Sequence, residues 1–169
     1  MRSSYTRMAR RGGAQRADIE AIYRDRFGTF AVSATALLRD SDAALDIVQE
    51  GFARALRRRR SFRGEGSLEA WIWRIVLNLA RDRQRAAGAD RAHLTHESRE
   101  DASTPPDDSV RARLRALPER QRIAVFLRYY AGMSYEEIAE VLQVRPGTVA
   151  ASLNAAHNTL RRQLQEVAR

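Results

Sequence analysis

The chain has 169 residues, 44% of them hydrophobic, which suffices for the core of one domain or of two very small ones. Its net charge is +9 and every cation is an arginine, so the composition favours a polyanionic partner, either nucleic acid or an acidic membrane surface. The absence of cysteine excludes disulfide scaffolds, thiolate zinc sites and thiol nucleophiles.

Charge and polarity divide the chain into four segments. A basic tail, residues 1–17, precedes a basic helical block at 18–88, an acidic linker at 89–109 and a second basic block at 110–169. No stretch alternates in the manner of a strand, so we predict an all-α fold with two small helical domains joined by a flexible acidic linker. No apolar run approaches the ~18 residues that span a bilayer and no signal-peptide core is present, which predicts a cytoplasmic protein without membrane insertion.

The first block begins with two amphipathic helices. The first is predicted from Asp18 to Leu38, with an apolar stripe made of Ile19, Ile22, Tyr23, Phe27, Phe30, Ala34, Leu37 and Leu38. The second should start at an N-cap cluster at 40–42 and end near 57–60, and its buried stripe should be Ala44, Leu45, Val48, Phe52, Ala55 and Leu56. An acidic face lies opposite that stripe: Asp42, Asp46, Gln49 and Glu50. By itself this face is either a solvated surface or a protein-binding one.

A third helix should run from an N-cap at Ser67 to about Ala87. Its buried stripe is predicted to be Leu68, Ile72, Ile75, Val76 and Leu79. Beside it lies a ridge made of Trp71, Arg74, Asn78, Arg81 and Arg85. An aromatic ring, an amide and three guanidinium groups suit nucleic acid, although the ridge could also be a charged outer face with the tryptophan in the core.

The second block predicts a helix-turn-helix. Pro118 should open a helix in its first turn and Gly132 should close it. Ser134 and Glu137 form a capping-box pattern ahead of a short helix, and a turn at 143–145 leads to the last helix, which starts at Pro146. The narrow apolar face of that helix is Val149, Leu153, Ala156, Leu160, Leu164 and Val167. This order is typical of a DNA-binding helix-turn-helix, although any helical hairpin could imitate it.

Three stretches in this order resemble bacterial extracytoplasmic-function (ECF) sigma factors: DAALDIVQEGFARAL, SFRGEGSLEAWIWRIVLNLARDRQR and LPERQRIAVFLRYYAGMSYEEIAEVLQVRPGTV. The resemblance implies that 18–88 is sigma region 2 and 110–169 is sigma region 4. It further implies a sigma factor that binds core RNA polymerase and directs promoter-specific transcription initiation. The acidic face of the second helix would then dock on the β′ clamp helices of the polymerase.

The resemblance implies that the third-helix ridge opens and reads the minus-ten promoter element. The loop at 60–66 would capture a flipped base of the non-template strand, because an aromatic platform with flanking cations offsets the cost of unstacking. The expected minus-ten residues are Arg60, Phe62, Arg63, Trp71, Arg74, Asn78, Arg81 and Arg85.

The last helix would read the minus-thirty-five element, and here the chain departs from the family. The family usually follows Gly-Thr-Val with a basic residue, Ser and another basic residue, whereas this chain has no cation between Arg145 and Arg161. Gln143 also stands where a glycine commonly ends the preceding helix. The expected contacts are Arg145, Thr148, Ala150, Ala151, Asn154, Asn158 and Arg161, and we expect them to bind DNA weakly and with a shallow salt dependence.

The expected partners follow from the same resemblance. They are core RNA polymerase, through the β′ clamp helices and the β flap, promoter DNA, and an anti-sigma factor that could sequester the chain at the membrane. The chain should be a monomer without cofactors. Fully extended, the linker at 89–109 could span about 70 Å, at ~3.3 Å per residue, which would hold the two domains about two turns of DNA apart.

Two other functions remain open from the residues alone. A free-standing helix-turn-helix regulator would bind duplex DNA by itself, and a sigma-like interaction protein would titrate polymerase without reading promoters. No constellation of side chains suggests an enzyme. His93, His96 and Glu97 imitate metal ligands, but they stand in a Ser- and Asp-rich segment and are expected to be solvated.

Overall fold

The computed structural model describes residues 13–38, 40–93 and 110–167, and within these ranges it contains helices and no strand. The helices are α1 (Arg16–Leu38), α2 (Ser41–Arg58), α3 (Leu68–His93), α4 (Val110–Ala116), α5 (Glu119–Val125), α6 (Tyr135–Leu142) and α7 (Pro146–Val167). A single 3₁₀ turn, Arg59–Ser61, follows α2, and a π-helical turn, Phe126–Tyr130, follows α5. The all-α prediction is confirmed for the described ranges. The N-terminal tail up to residue 12 and linker residues 94–109 lie outside them.

Helices α1, α2 and α3 form the first domain around an aromatic core. The Phe30 ring stacks on Trp73 with ring centroids 3.8 Å apart and meets Phe52 edge-on at 5.0 Å. Ile19, Ile22, Phe30 and Ala34 are buried as predicted, but Tyr23 is 40% exposed at the edge of the stripe. A Cβ at Gly51 would overlap Val76, so this glycine allows α2 to approach α3 closely.

The N-terminus of α2 confirms the predicted capping cluster. The Asp40 carboxylate accepts hydrogen bonds from the backbone N–H groups of Asp42 and Ala43, both at 3.0 Å. Ala44, Val48, Phe52 and Ala55 are buried as expected. Leu45 was wrongly placed in the stripe, since it is 39% exposed, and Ile47 is buried instead. The packed face of α2 is therefore rotated slightly from the one that the hydrophobic pattern indicates.

The third helix is longer and more deeply buried than predicted. Ser67 caps it as expected, because its hydroxyl oxygen accepts from the Ala70 N–H at 3.0 Å. The helix ends at His93 instead of near Ala87, so the first residues of the expected linker are helical. Trp73, Leu77 and Ala80 are also buried, beside the predicted Leu68, Ile72 and Val76. A helix packed on more than one side buries a wider arc than a single stripe.

The second domain contains the predicted helix-turn-helix, α6 and α7. Ser134 and Glu137 form the reciprocal capping box, with hydrogen bonds of 3.2 and 2.9 Å. Gln143 ends α6 in the left-handed conformation (φ 56°), and Gly132 (φ 71°) closes the preceding helical segment. Pro118 is the N-cap of α5, one position before the expected first turn.

The expected apolar face of α7 holds for only part of its length. Val149, Leu153 and Ala156 are buried, but Leu164 is 52% exposed. Leu160 is half-buried, so the later turns of this 22-residue helix are packed less closely than its first turns. The buried positions of α7 are those that face α5 and α6.

The two domains pack directly against each other. Helix α3 contacts α6, while α1 contacts α5 and the π-helical turn. Buried apolar residues of both domains, from Ile19 to Leu153, belong to one continuous cluster. The sequence alone indicated two domains separated by a tether, whereas the structure joins them through a shared core.

Candidate nucleic-acid interface

The acidic face of α2 is accessible, but its four residues differ in their partners. Asp42, Asp46 and Gln49 are exposed. The Glu50 carboxylate, half-exposed, accepts from Arg54 Nε at 2.7 Å and from Arg57 Nη2 at 2.9 Å. The Arg54 hydrogen bond is the main cause that lowers the Glu50 pKa below its ordinary value. Within the described residues neither Asp42 nor Asp46 forms an ion pair, so these two carboxylates present the free charge of this face.

An apolar groove lies beside this face, between α1 and α2. Its volume is about 850 Å³, and its lining includes Tyr23, Gln49, Phe52 and Leu56. Gln49 belongs both to the acidic face and to this groove. The two features therefore form one continuous surface with exposed charge and accessible apolar area.

The five ridge residues of α3 lie along one side of the helix but in different surroundings. Asn78 and Arg85 are exposed, and Arg85 pairs with Asp82 at 2.8 Å. Arg81 is half-exposed and its Nε lies 3.2 Å from a carboxylate oxygen of Glu119, in the second domain. Trp71 and Arg74 are half-buried at the start of the ridge. The Trp71 ring packs against the core and also lines a cavity, so its position is compatible with either interpretation.

A cavity of about 420 Å³ separates the ridge from the loop before α3. The Phe62 ring, which is buried, lies 5.5 Å from the Trp71 ring at a tilt of 50°. The cavity is lined by Ser61, Phe62, Arg63, Glu65, Gly66, Ala70, Trp71, Arg74 and Glu140. Two aromatic rings and two guanidinium groups therefore surround a space large enough for a nucleobase. Arg60 is exposed and is not part of this lining.

The second domain reaches this cavity through Glu140, which sequence reasoning missed. Glu140 lies on α6, and its carboxylate contacts Gly66, where any Cβ would overlap it. Gly66 has φ 79°, a left-handed conformation that suits glycine. Partial burial raises the Glu140 pKa, with a contribution from Glu137, and the Arg74 guanidinium opposes the shift. No local pattern could reveal this contact, because Gly66 and Glu140 are far apart in the sequence.

A second polar contact between the domains centres on Arg26. Its Nε donates to a Glu69 oxygen at 3.0 Å, and its Nη2 donates to the carbonyl oxygen of Ala131 in the second domain. Glu69 is buried, and this burial raises its pKa although Arg26 opposes the shift. The guanidinium group therefore joins the start of α3 to the end of the π-helical turn.

The exposed face of α7 carries most of the expected upstream contacts. Arg145, Ala151, Asn154, Asn158 and Arg161 are exposed. Thr148 and Ala150 are half-buried, and the carbonyl oxygen of Thr148 accepts from the Ser152 hydroxyl at 2.8 Å. This face presents small and amide side chains, and no arginine lies between Arg145, just before α7, and Arg161.

Neither a metal site nor a membrane span is found in the part of the chain that the structure describes. These residues include no group of three or more His, Asp or Glu side chains that could hold a metal ion. The three residues whose pattern resembles metal ligands cannot be placed: the His93 side chain and residues 96–97 lie outside the described residues. None of the described helices has the length and apolarity that crossing a bilayer requires.

Comparison with protein families gives two matches in chain order. The family "Sigma-70 region 2" matches residues 24–89, and the family "Sigma-70, region 4" matches residues 107–165. RNA polymerase sigma-H factor of Pseudomonas aeruginosa is 31% identical over 151 residues, which are 78% of this chain and 78% of that protein. ECF RNA polymerase sigma-E factor of Escherichia coli is 32% identical over 143 residues, covering 73% of this chain and 75% of that protein. ECF sigma factor SigW of Bacillus subtilis is 28% identical and covers 89% of each chain.

The fold is also similar to a solved sigma structure. The sigma factor RpoE of Bartonella quintana, in complex with the anti-sigma factor NepR, matches with a TM-score of 0.72 and 24% identity. The match covers 88% of this chain and 97% of the other. Both helical domains therefore have counterparts in a known fold.

Proposed function

The chain belongs to the ECF sigma factors and directs promoter-specific transcription initiation by core RNA polymerase, and we propose how its surfaces divide that work. In this proposal residues 18–88 act as region 2, which binds polymerase and opens the minus-ten element. Residues 110–169 act as region 4, which contacts the minus-thirty-five element, with 89–109 as linker. In this proposal RNA synthesis itself is the chemistry of the polymerase, and the chain acts by binding polymerase and promoter DNA.

The acidic face of α2 is the proposed docking surface for the β′ clamp helices. Its support is the exposure of Asp42, Asp46 and Gln49, and the lack of an ion pair on either aspartate within the described residues. In a chain with a net charge of +9, free carboxylates concentrated on one helix face favour a basic protein surface over DNA. Glu50 would contribute less, because its charge already pairs with Arg54 and Arg57.

The cavity beside α3 carries the minus-ten part of the proposal. A base taken out of the duplex needs a stacking surface and cations that neutralise the neighbouring phosphates. Phe62 and Trp71 supply the rings, while Arg63 and Arg74 line the same cavity. Asn78, Arg81 and Arg85 continue the ridge along the path of the strand. Arg60, which lies outside the cavity lining, would contact the backbone of that strand.

The proposal for the upstream element rests on the exposed face of α7. Asn154 and Asn158 can pair with adenine edges, and the alanine methyl groups can contact thymine methyl groups. Because no arginine stands between Arg145 and the pair Arg161 and Arg162, the phosphate contribution to affinity is small. The face would therefore contribute usefully only when polymerase tethers it beside the promoter.

Membership in the ECF sigma factors also suggests further partners, which are part of the proposal. The β flap of polymerase would hold region 4, and an anti-sigma factor would cover the chain when it is inactive, as NepR forms a complex with RpoE. The chain would work as a monomer in the cytoplasm, beside core polymerase, and its anti-sigma partner would sequester it at the membrane.

Run-off transcription tests the proposal directly. Purified core polymerase is incubated with genomic fragments, with and without the full chain. We expect promoter-specific transcripts only when the chain is present. Transcripts that are the same with and without it would contradict the proposal. Retention of duplex DNA by the chain alone would then favour a free-standing regulator.

A further inference from the structure

Four consecutive arginines, residues 57–60, end α2 and lead into the loop before α3. Two of them have partners within the chain. The Arg57 guanidinium pairs with a glutamate of the same helix at 2.9 Å, and Arg59 Nη1 donates to a carbonyl oxygen of the last helical turn at 3.2 Å. Arg58 and Arg60 are exposed, and within the described residues neither pairs with a carboxylate. Contacts inside the chain therefore account for only two of the four cations.

Residues 13–14, which precede α1, pack directly on this basic turn. The backbone N–H of Ala14 donates to the Arg59 carbonyl oxygen at 2.8 Å, and the same oxygen accepts from the Phe62 N–H at 3.3 Å. Gly13 has φ 91°, and a Cβ there would lie 2.8 Å from that oxygen, so only glycine fits without strain. Ala14 is itself buried in the core. This point of the chain is therefore fixed beside the loop that lines the cavity.

The sequence before this fixed point is strongly basic. Residues 1–12, outside the described ranges, contain no acidic residue and four arginines: Arg2, Arg7, Arg10 and Arg11. The last two stand two or three residues before Gly13, so their Cα atoms lie within about 10 Å of it, at ~3.5 Å per residue at most. This limit follows from chain connectivity alone. Arg58, Arg60 and the arginines at 10–11 therefore concentrate positive charge on one side of the cavity.

This concentration of charge is suited to a phosphate backbone. Like charges placed so close repel one another, and a polyanion relieves that repulsion. Arg63 links the basic turn to the cavity, because it is exposed, lines the cavity and has no carboxylate partner within the described residues. A base held beside the Phe62 and Trp71 rings has a phosphate on each side, so its strand passes close to the basic turn.

We propose that Arg10 and Arg11, held beside the turn by Gly13, form with Arg58 and Arg60 a phosphate-binding site for the promoter DNA backbone. The inference rests on the proposed minus-ten role of the cavity. It assigns a function to the basic segment before α1 and adds three arginines to Arg60, the backbone contact already proposed. Phosphate contacts carry affinity that is independent of sequence and fix the position of the DNA, while the cavity contacts the base.

Three double variants with the same change in net charge separate this site from general electrostatics. The turn variant is Arg58→Gln with Arg60→Gln, and the tail variant is Arg10→Gln with Arg11→Gln. The control is Arg24→Gln with Arg120→Gln, on α1 and α5. Both control arginines are exposed, and neither forms an ion pair within the described residues. Circular dichroism confirms that each variant is folded.

The full chain is titrated with two fluorescent probes, a thymidine oligonucleotide and a duplex of random sequence, each about 20 nucleotides long, over a range of salt concentrations. Two phosphate contacts contribute about 1.4 to the salt slope on a single strand and about 1.8 on a duplex. The turn and tail variants should each lose about this much, which weakens binding to the single strand roughly 25-fold at about 0.1 M salt. The control should keep the wild-type slope, and Arg10→Lys with Arg11→Lys should keep it too.

The two probes distinguish the sources of the phosphates. A loss on the oligonucleotide supports contact with the opened strand, and a loss on the duplex alone supports contact with the flanking duplex. A turn or tail variant with the same slope as the control on both probes would overturn the inference.

A failure of the proposed function would look different. If Trp71→Ala leaves promoter opening by the polymerase complex intact, the cavity is not the strand site, whatever the salt slopes of the turn and tail variants. If Trp71→Ala loses promoter opening while the turn and tail variants keep the wild-type slope, only the phosphate site is refuted. The two results are read from separate experiments.

Discussion

Reversal of one carboxylate, Asp46→Arg, tests the docking surface most cleanly. Asp46 is exposed and unpaired within the described residues, so its replacement removes no internal contact. It lies within α2, where arginine is a good helix former. We therefore expect a melting temperature within about 2 °C of the wild type, since exposed substitutions change stability by less than ~0.5 kcal/mol. Glu50→Arg is a poorer test, because it would bring a third cation beside Arg54 and Arg57.

The expected effect on binding follows from the loss of attraction and the gain of repulsion. Close charge pairs across an interface contribute about 1.5 kcal/mol or more, so reversal should cost about 2–3 kcal/mol, or roughly a 30- to 150-fold rise in Kd for core polymerase. The assay is fluorescence anisotropy of the labelled chain titrated with core polymerase at two salt concentrations. Glu136→Arg, which gives the same change in net charge at an exposed position of the second domain, is the control. Equal affinities for wild type and Asp46→Arg would refute the assignment of this face.

Three further predictions concern α3, the turn before α7, and α7 itself. Asn78 is exposed, and Asn78→Ala should leave polymerase binding unchanged but reduce the number of open complexes. The loss is measured as fewer permanganate-reactive thymines. Undiminished promoter opening would mean that the ridge does not contact the strand. Gln143→Gly should raise the free energy of unfolding by up to about 1 kcal/mol, because Gln143 has φ 56°, and urea denaturation showing no gain would contradict this. Ala151→Arg adds a cation to the exposed α7 face and should steepen the salt dependence of promoter binding by the polymerase complex by about 0.9. An unchanged slope in that salt titration would mean that this face does not meet phosphates.

The contacts between the domains explain why the linker prediction was only partly informative. The sequence indicates a linker long enough to hold two domains far apart, and length sets only the greatest separation. The shared core and the Arg26, Glu119 and Glu140 contacts determine the separation in the free chain. Attraction between two folded surfaces depends on shapes that exist only after each domain has formed, and no local pattern encodes them.

Side-chain burial in α3 was also predictable from the sequence only in part. Periodicity correctly placed Leu68, Ile72 and Val76 of α3 in the core, because one stripe of a helix always faces its nearest neighbour. It missed Trp73, the largest fully buried side chain, which stacks on Phe30. The second buried face exists because α3 is covered by more than one element, and the sequence of α3 alone carries no sign of that.

The sequence by itself determined the features that depend on neighbouring residues. The Asp40 and Ser67 caps, the capping box of Ser134 and Glu137, and the left-handed Gln143 all follow from hydrogen bonds and backbone sterics within a few positions. Those signals define the helices, and with the three family-like stretches they also identified the protein family. Only the tertiary structure decided which side chains of the other domain lie beside the ridge, because Arg81 pairs with Glu119 and Arg74 lines the same cavity as Glu140. Charge pairing across a chain depends on distances in space, and folding alone sets those distances.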